Sequence, residues 1–172
     1  MGQHTVIRYH DFCAGHRVVG HESKCRHLHG HNYRVHFHVR VRKGLERTEH
    51  ELDGVGRVID FSVVKEKLCN WLEENWDHKF LHWDQDKLVG TVIKAFECEH
   101  IDMGDEVLIP GIQDANHALD SFVELPFNPT AENMAWHLVE CVGPIALDGT
   151  DVELYGVELE ETRKCSVSYF KD

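Results

Sequence analysis

The feature that most constrains this chain is the alternation across residues 31–42. His31, Tyr33, Val35, Phe37, Val39 and Val41 fall on one side; Asn32, Arg34, His36, His38, Arg40 and Arg42 fall on the other. A period of two belongs to a strand with one buried face and one polar face. Such a strand needs a partner strand and a layer over its apolar side. Residues 4–13 form the nearest candidate partner, read as a strand that enters a loop at Cys13-Ala14-Gly15. The pairing expected is antiparallel.

Farther along, Asp60 or Ser62 can cap a helix whose apolar stripe is Phe61, Val64, Leu68, Trp71 and Leu72. Residues 86–96 suggest a weaker second helix. Residues 97–122 lack periodicity and read as an irregular insertion. Thr130 is the expected N-cap of a helix carrying Met134, Leu138 and Cys141, with Gly143-Pro144 as its stop. Two strands close the chain, roughly 151–161 and 165–171. In the first, Val152 and Leu154 are out of phase with Val157, Leu159 and Glu161, so a bulge near Gly156 is expected to restore the face. The pattern gives one α+β domain over 1–172, an antiparallel four-stranded sheet with helices on one face.

Charge narrows the function. The formal net charge of −12 opposes nucleic-acid binding, which relies on lysine and arginine to displace counterions. No apolar run is long enough to span a membrane, and no leader is evident at the start, so a cytoplasmic protein with reduced thiols is the expectation.

Histidine is abundant, 15 of 172 residues. His29 and His31, two apart on a strand, project from one face. With His16 they make a three-nitrogen set that leaves one position of a four-coordinate zinc open, the arrangement of a catalytic Zn2+. Solvated strand histidines are the plainer alternative, and the one adopted for His36 and His38. Cys25 lies four residues before His29 between Lys24 and Arg26, which favour a thiolate. The other five cysteines read as inert buried thiols. Asp77 can orient His78 for proton transfer if the two lie in a loop rather than a helix. Glu161, at the end of an apolar strand face, can accept paired hydrogen bonds from an amino-pyrimidinone edge.

Six segments in order carry a resemblance: Phe12-Cys13-Ala14-Gly15-His16, Cys25-Arg26-His27-Leu28-His29-Gly30-His31-Asn32-Tyr33, Gly56-Arg57-Val58-Ile59-Asp60-Phe61, Asp77-His78-Lys79-Phe80-Leu81, Asn128-Pro129-Thr130-Ala131-Glu132-Asn133, and Glu161-Thr162 with Tyr169. The chain resembles the superfamily of 6-pyruvoyl-tetrahydropterin and 6-carboxytetrahydropterin synthases. The resemblance implies zinc on His16, His29 and His31, and Cys25, Asp77 and His78 as the proton-transfer set. It implies Glu161 as pterin anchor, helped by backbone groups of Thr130, Ala131 and Glu132. It also implies the tunnelling fold (ββααββ), whose sheets oligomerise into a β-barrel, as trimer or hexamer, with sites between subunits. The Cys-x-x-x-His-Gly-His spacing resembles the carboxytetrahydropterin branch. That branch converts 7,8-dihydroneopterin triphosphate to 6-carboxytetrahydropterin, acetaldehyde and triphosphate for 7-deazaguanine (queuosine-type) biosynthesis. The alternatives are triphosphate elimination without side-chain cleavage, or a non-catalytic zinc- or pterin-binding protein.

Overall fold

The computed structural model describes residues 3–45, 52–97 and 119–172. Most of the 97–122 insertion therefore lies outside the described residues. Six strands form one sheet: β1 (Val6–His16), β2 (His29–Val41), β3 (Lys79–Trp83), β4 (Phe122–Leu125), β5 (Val152–Thr162) and β6 (Cys165–Phe170), in the order β4-β3-β1-β2-β5-β6.

The expected four antiparallel strands are present, and two more extend the sheet at the β1 edge. β3 runs parallel to β1, and β4 runs parallel to β3. The sheet is therefore mixed and six-stranded rather than antiparallel and four-stranded. These two strands are five and four residues long. That length is too short to display a period, and only a parallel crossover through a helix brings them into the sheet.

Among the described residues, three helices accompany the strands. The first, α1, runs through Phe61–Val64, a wider π segment Lys65–Cys69, and Asn70–Asn75. Asp60 caps it by accepting from the Ser62 N–H. Val64, Leu68 and Leu72 are buried as the stripe requires, whereas Phe61 points to solvent. The second, α2, spans Lys87–Glu97, its first turn held by Asp86. The third, α3, begins at Ala131 with Thr130 as cap. It continues through Leu138–Val142 to Ala146, past the expected stop at Gly143-Pro144. Leu138–Val142 is a π segment, in which the Gly143 N–H reaches back five residues to the Leu138 carbonyl. That wider turn accommodates the proline ring. Gly143 serves packing instead: a Cβ there would stand 2.8 Å from the Leu154 Cβ.

The core lies between the sheet and the helices α1 and α3, built on Tyr33, Val35, Phe37, Leu154, Leu159, Leu68, Met134 and Leu138. Each such side chain contributes about 1.5–3 kcal/mol by leaving water. The bulge is where the phases demanded it. His38 pairs with Gly156 and Val39 with Leu154, leaving Tyr155 as the extra residue. Val152, Leu154, Val157 and Leu159 are consequently all buried on one face.

Candidate metal centre

β1 does not end in a loop at Cys13-Ala14-Gly15. It runs on to His16, which pairs directly with His29. The glycines read as loop residues are close-approach residues in the ladder. A Cβ on Gly30 would lie 2.9 Å from the Ala14 carbonyl oxygen, and one on Gly15 would lie 2.6 Å from the Phe80 ring. The even residues of β1 and the odd residues of β2 share the core face, so His16, His29, His31 and Tyr33 meet at one end of it.

The ring centroids lie 4.5 Å apart for His16–His29, 4.9 Å for His29–His31 and 5.3 Å for His16–His31. One nitrogen from each ring falls within 4.8 Å of the others. A tetrahedral zinc with Zn–N of about 2.0–2.1 Å needs roughly 3.3 Å between nitrogens, within reach of small ring rotations. The tautomers suit a metal. His16 Nδ1 donates to the Pro129 carbonyl at 2.7 Å, and His29 Nδ1 donates to the His27 carbonyl at 2.7 Å. Both Nε2 atoms thereby carry the lone pair that a metal would take. The Tyr33 hydroxyl, 3.2 Å away, donates to His16 Nε2. Burial lowers the His16 pKa to about 4, with the neighbouring imidazoles adding to the effect. Burial also lowers that of His31, against the pull of Glu161. Neutral imidazole is the form a metal binds. The donor set thus fits a zinc-type ion.

Glu161 Oε1 stands 3.5 Å from both His16 Nε2 and His31 Nε2, half-buried at the end of β5. It is on the apolar face, as the bulge requires, and it faces the imidazoles. The start of α3 is at the same place, because Pro129 is the residue that holds His16. The N–H groups of Ala131 and Glu132 belong to the first helical turn, where the helix supplies no acceptor. Cys25 sits in a short turn, Lys24–Arg26, tied to the segment that follows β1 by its carbonyl accepting from Val18 N–H at 2.8 Å. It is partly buried.

Asp77 and His78 are elsewhere. Trp76 is buried in the core at the end of α1, and the chain then turns with His78 at φ 57°. A left-handed non-glycine residue costs about 1–2 kcal/mol. The turn is fixed by His78 N–H donating to the Cys13 carbonyl at 2.7 Å and by Cys13 N–H donating to Asp77 Oδ1 at 2.8 Å. Asp77 Oδ2 lies 2.9 Å from His78 Nδ1. The loop geometry needed for that pairing is present. Burial pushes the Asp77 carboxyl up, but the bonds from Cys13 N–H and His78 hold it below the ordinary value. His78 is 80% exposed.

Cys13 is an odd residue of β1, so it points to the face opposite the three histidines. Its Sγ, Asp77 and His78 form a second cluster with ligand atoms within 4.8 Å. Within one chain the structure brings His16, His29, His31 and Glu161 together, with Asp77 and His78 on the other face. Sequence reading missed Cys13. Taken as an inert buried thiol, it is exposed, as is Cys165; Cys141 is partly buried and Cys69 fully buried. Cys98 lies outside the described residues. His36 is engaged with Glu160 at 2.8 Å rather than free in solvent.

Comparison with known proteins agrees with the architecture. A protein named 6-carboxy-5,6,7,8-tetrahydropterin synthase from Rickettsia felis is 31% identical over 157 residues, covering 91% of this chain and 93% of its own. One of the same name from Rickettsia bellii is 29% identical over the same shares. A crystal structure of an uncharacterised protein from Wolinella succinogenes superposes with TM-score 0.75 at 27% identity, covering 98% of both chains. The fold is also that of 6-pyruvoyl tetrahydropterin synthase from Caenorhabditis elegans, at TM-score 0.58 and 21% identity over 100% of this chain and 98% of that one. The family model described as 6-pyruvoyl tetrahydropterin synthase matches residues 5–172, and the chain belongs to that family.

Proposed function

We propose that this protein is a zinc-dependent 6-carboxy-5,6,7,8-tetrahydropterin synthase. It would convert 7,8-dihydroneopterin triphosphate to 6-carboxytetrahydropterin, acetaldehyde and triphosphate, feeding 7-deazaguanine biosynthesis. The observation that carries the reading is the convergence of His16, His29 and His31 in a chain whose relatives at about 30% identity bear that name.

His16, His29 and His31 would hold the ion, each offering a ring nitrogen. When bound, zinc supplies a Lewis acid for the substrate's side-chain oxygens. Cys25, as thiolate, takes a side-chain proton. His78 Nε2 delivers or relays one, with Asp77 fixing the ring through Nδ1. Glu161 accepts the paired N–H groups of the pterin edge, and the first-turn N–H groups at Ala131 and Glu132 orient the ring. The ordering of Glu161 beside the imidazoles supports a pterin held against the metal.

Asp77 and His78 cluster with Cys13 on the sheet face opposite the three imidazoles, and in this reading another copy completes the site. His78 of one copy enters beside the metal of the next, which is the assembly of the tunnelling fold, as trimer or hexamer. The exposure of His78 on a strained turn supports this. Retention of triphosphate elimination alone would make the product 6-pyruvoyl-tetrahydropterin.

Incubation with 7,8-dihydroneopterin triphosphate, with products identified by mass, tests the reaction. The expected products are 6-carboxytetrahydropterin and an equivalent of acetaldehyde. A pyruvoyl product reassigns the branch, and an intact substrate beside stoichiometric zinc makes the protein a binder rather than an enzyme.

A further inference from the structure

A second set of metal-type donors lies on the sheet face away from the three histidines. Cys13 Sγ, an Asp77 oxygen and a His78 ring nitrogen lie within 4.8 Å of one another. Sulfur, oxygen and nitrogen in that combination suit zinc and its neighbours better than magnesium or calcium. The donors are preset by backbone. Cys13 is locked in the β1–β2 ladder opposite Asn32, and His78 is pinned by its N–H to the Cys13 carbonyl. Asp77 is held by the Cys13 N–H, so both segments move as one piece. In the single chain Cys13 and His78 are exposed. Two hollows, of about 690 and 530 Å3, are each lined by Cys13, Asn32 and His78, and both also reach His31.

We propose that Cys13, Asp77 and His78 form a second, inhibitory site for Zn2+ or a similar soft divalent ion. On binding, the Cys13 Sγ–H bond breaks and its proton goes to solvent, while the thiolate replaces its bond to Asn32 Oδ1 with one to the metal. Asp77 contributes a carboxylate and His78 a neutral imidazole nitrogen. Two anionic ligands then balance the divalent charge, and water or Asn32 completes the shell. Nothing is oxidised or reduced. The inhibitory consequence rests on the proposed role of His78 in proton transfer: an imidazole bound to metal no longer relays a proton. The binding site itself does not depend on that role.

The test uses the assembled full-length protein, loaded with Zn2+ or Co2+ and measured for metal per chain. Wild type is expected to take up about two equivalents and Cys13→Ser about one, because serine is a far poorer ligand than thiolate. With Co2+, wild type and Cys25→Ala should both show a thiolate-to-metal charge-transfer band that Cys13→Ser lacks. Equal stoichiometry in wild type and Cys13→Ser, or a band that follows Cys25, overturns the site. Turnover then separates the two readings. Excess Zn2+ should inhibit wild type several-fold and leave Cys13→Ser unaffected. Cys13-dependent uptake in a protein that does not consume the triphosphate refutes the reaction and leaves this site standing. Cys13-dependent uptake with turnover unchanged refutes the inhibition.

Discussion

The two faces of the sheet at its β1–β2 end differ in how complete they are. On the core face, His16 is 1% exposed, its tautomer set by Pro129, with Tyr33 and Glu161 at hand. On the other, His78 is 80% exposed and held by Asp77 on a left-handed turn. The first is a finished donor set within one chain. The second is a rigidly mounted group reaching away from its own chain. A side chain that is strained, oriented and unburied at once is prepared for something its own chain does not provide.

Substitutions on the two faces should therefore fail differently, and the largest expected difference is between His29→Ala and His78→Ala. His29→Ala should lose metal by more than about 100-fold in affinity, since even outer-shell changes cost 10–100-fold. His78→Ala should keep its metal and lose about 10²–10⁴ in turnover, the usual worth of a general acid or base. Metal analysis alongside rates separates them. Loss of metal from both variants would break the comparison.

A smaller effect is expected from Gly30→Ala, which places a methyl 2.9 Å from the Ala14 carbonyl oxygen between the candidate ligands His29 and His31. Backbone must shift, costing about 1–3 kcal/mol in urea unfolding and weakening metal binding through the His16–His29 pair. The Cys13–Asp77–His78 geometry, formed by other backbone bonds, should be less affected.

The smallest is a pH effect in metal-stripped protein. His16 has a folded pKa of about 4 against 6.5 unfolded. Between those values the unfolded chain holds the extra proton, so stability should fall as pH drops from 6.5 toward 4. His16→Gln should flatten that segment of the urea-midpoint profile, and a profile of unchanged slope would show that burial of this ring is not what lowers it.

Much of the core face was legible in the sequence. Alternation over 31–42 gave β2 and its buried side, and the phase slip between Leu154 and Val157 gave the bulge that puts Glu161 beside the histidines. Thr130 and Asp60 marked their helices because capping is local chemistry. What was not legible depended on tertiary contacts. Lys79–Trp83 and Phe122–Leu125 become strands only because β1 offers an open edge. Gly15 and Gly143 read as breaks, yet each is small because another element comes close. Pro144 is tolerated because the preceding turn is wide. Cys13 carried no signal, since its neighbours Asp77 and His78 are 64 and 65 positions away and meet it only through the β1–β3 approach.

The most direct test of the central claim mixes two inactive proteins. His29→Ala lacks a metal site and His78→Ala lacks the reaching imidazole; each alone should be nearly inactive on 7,8-dihydroneopterin triphosphate. If the two faces work across copies, co-assembled variants regain activity in sites pairing an intact metal centre with an intact His78, about a quarter of wild type for random mixing. No recovery from a mixture shown to co-assemble would contradict the account.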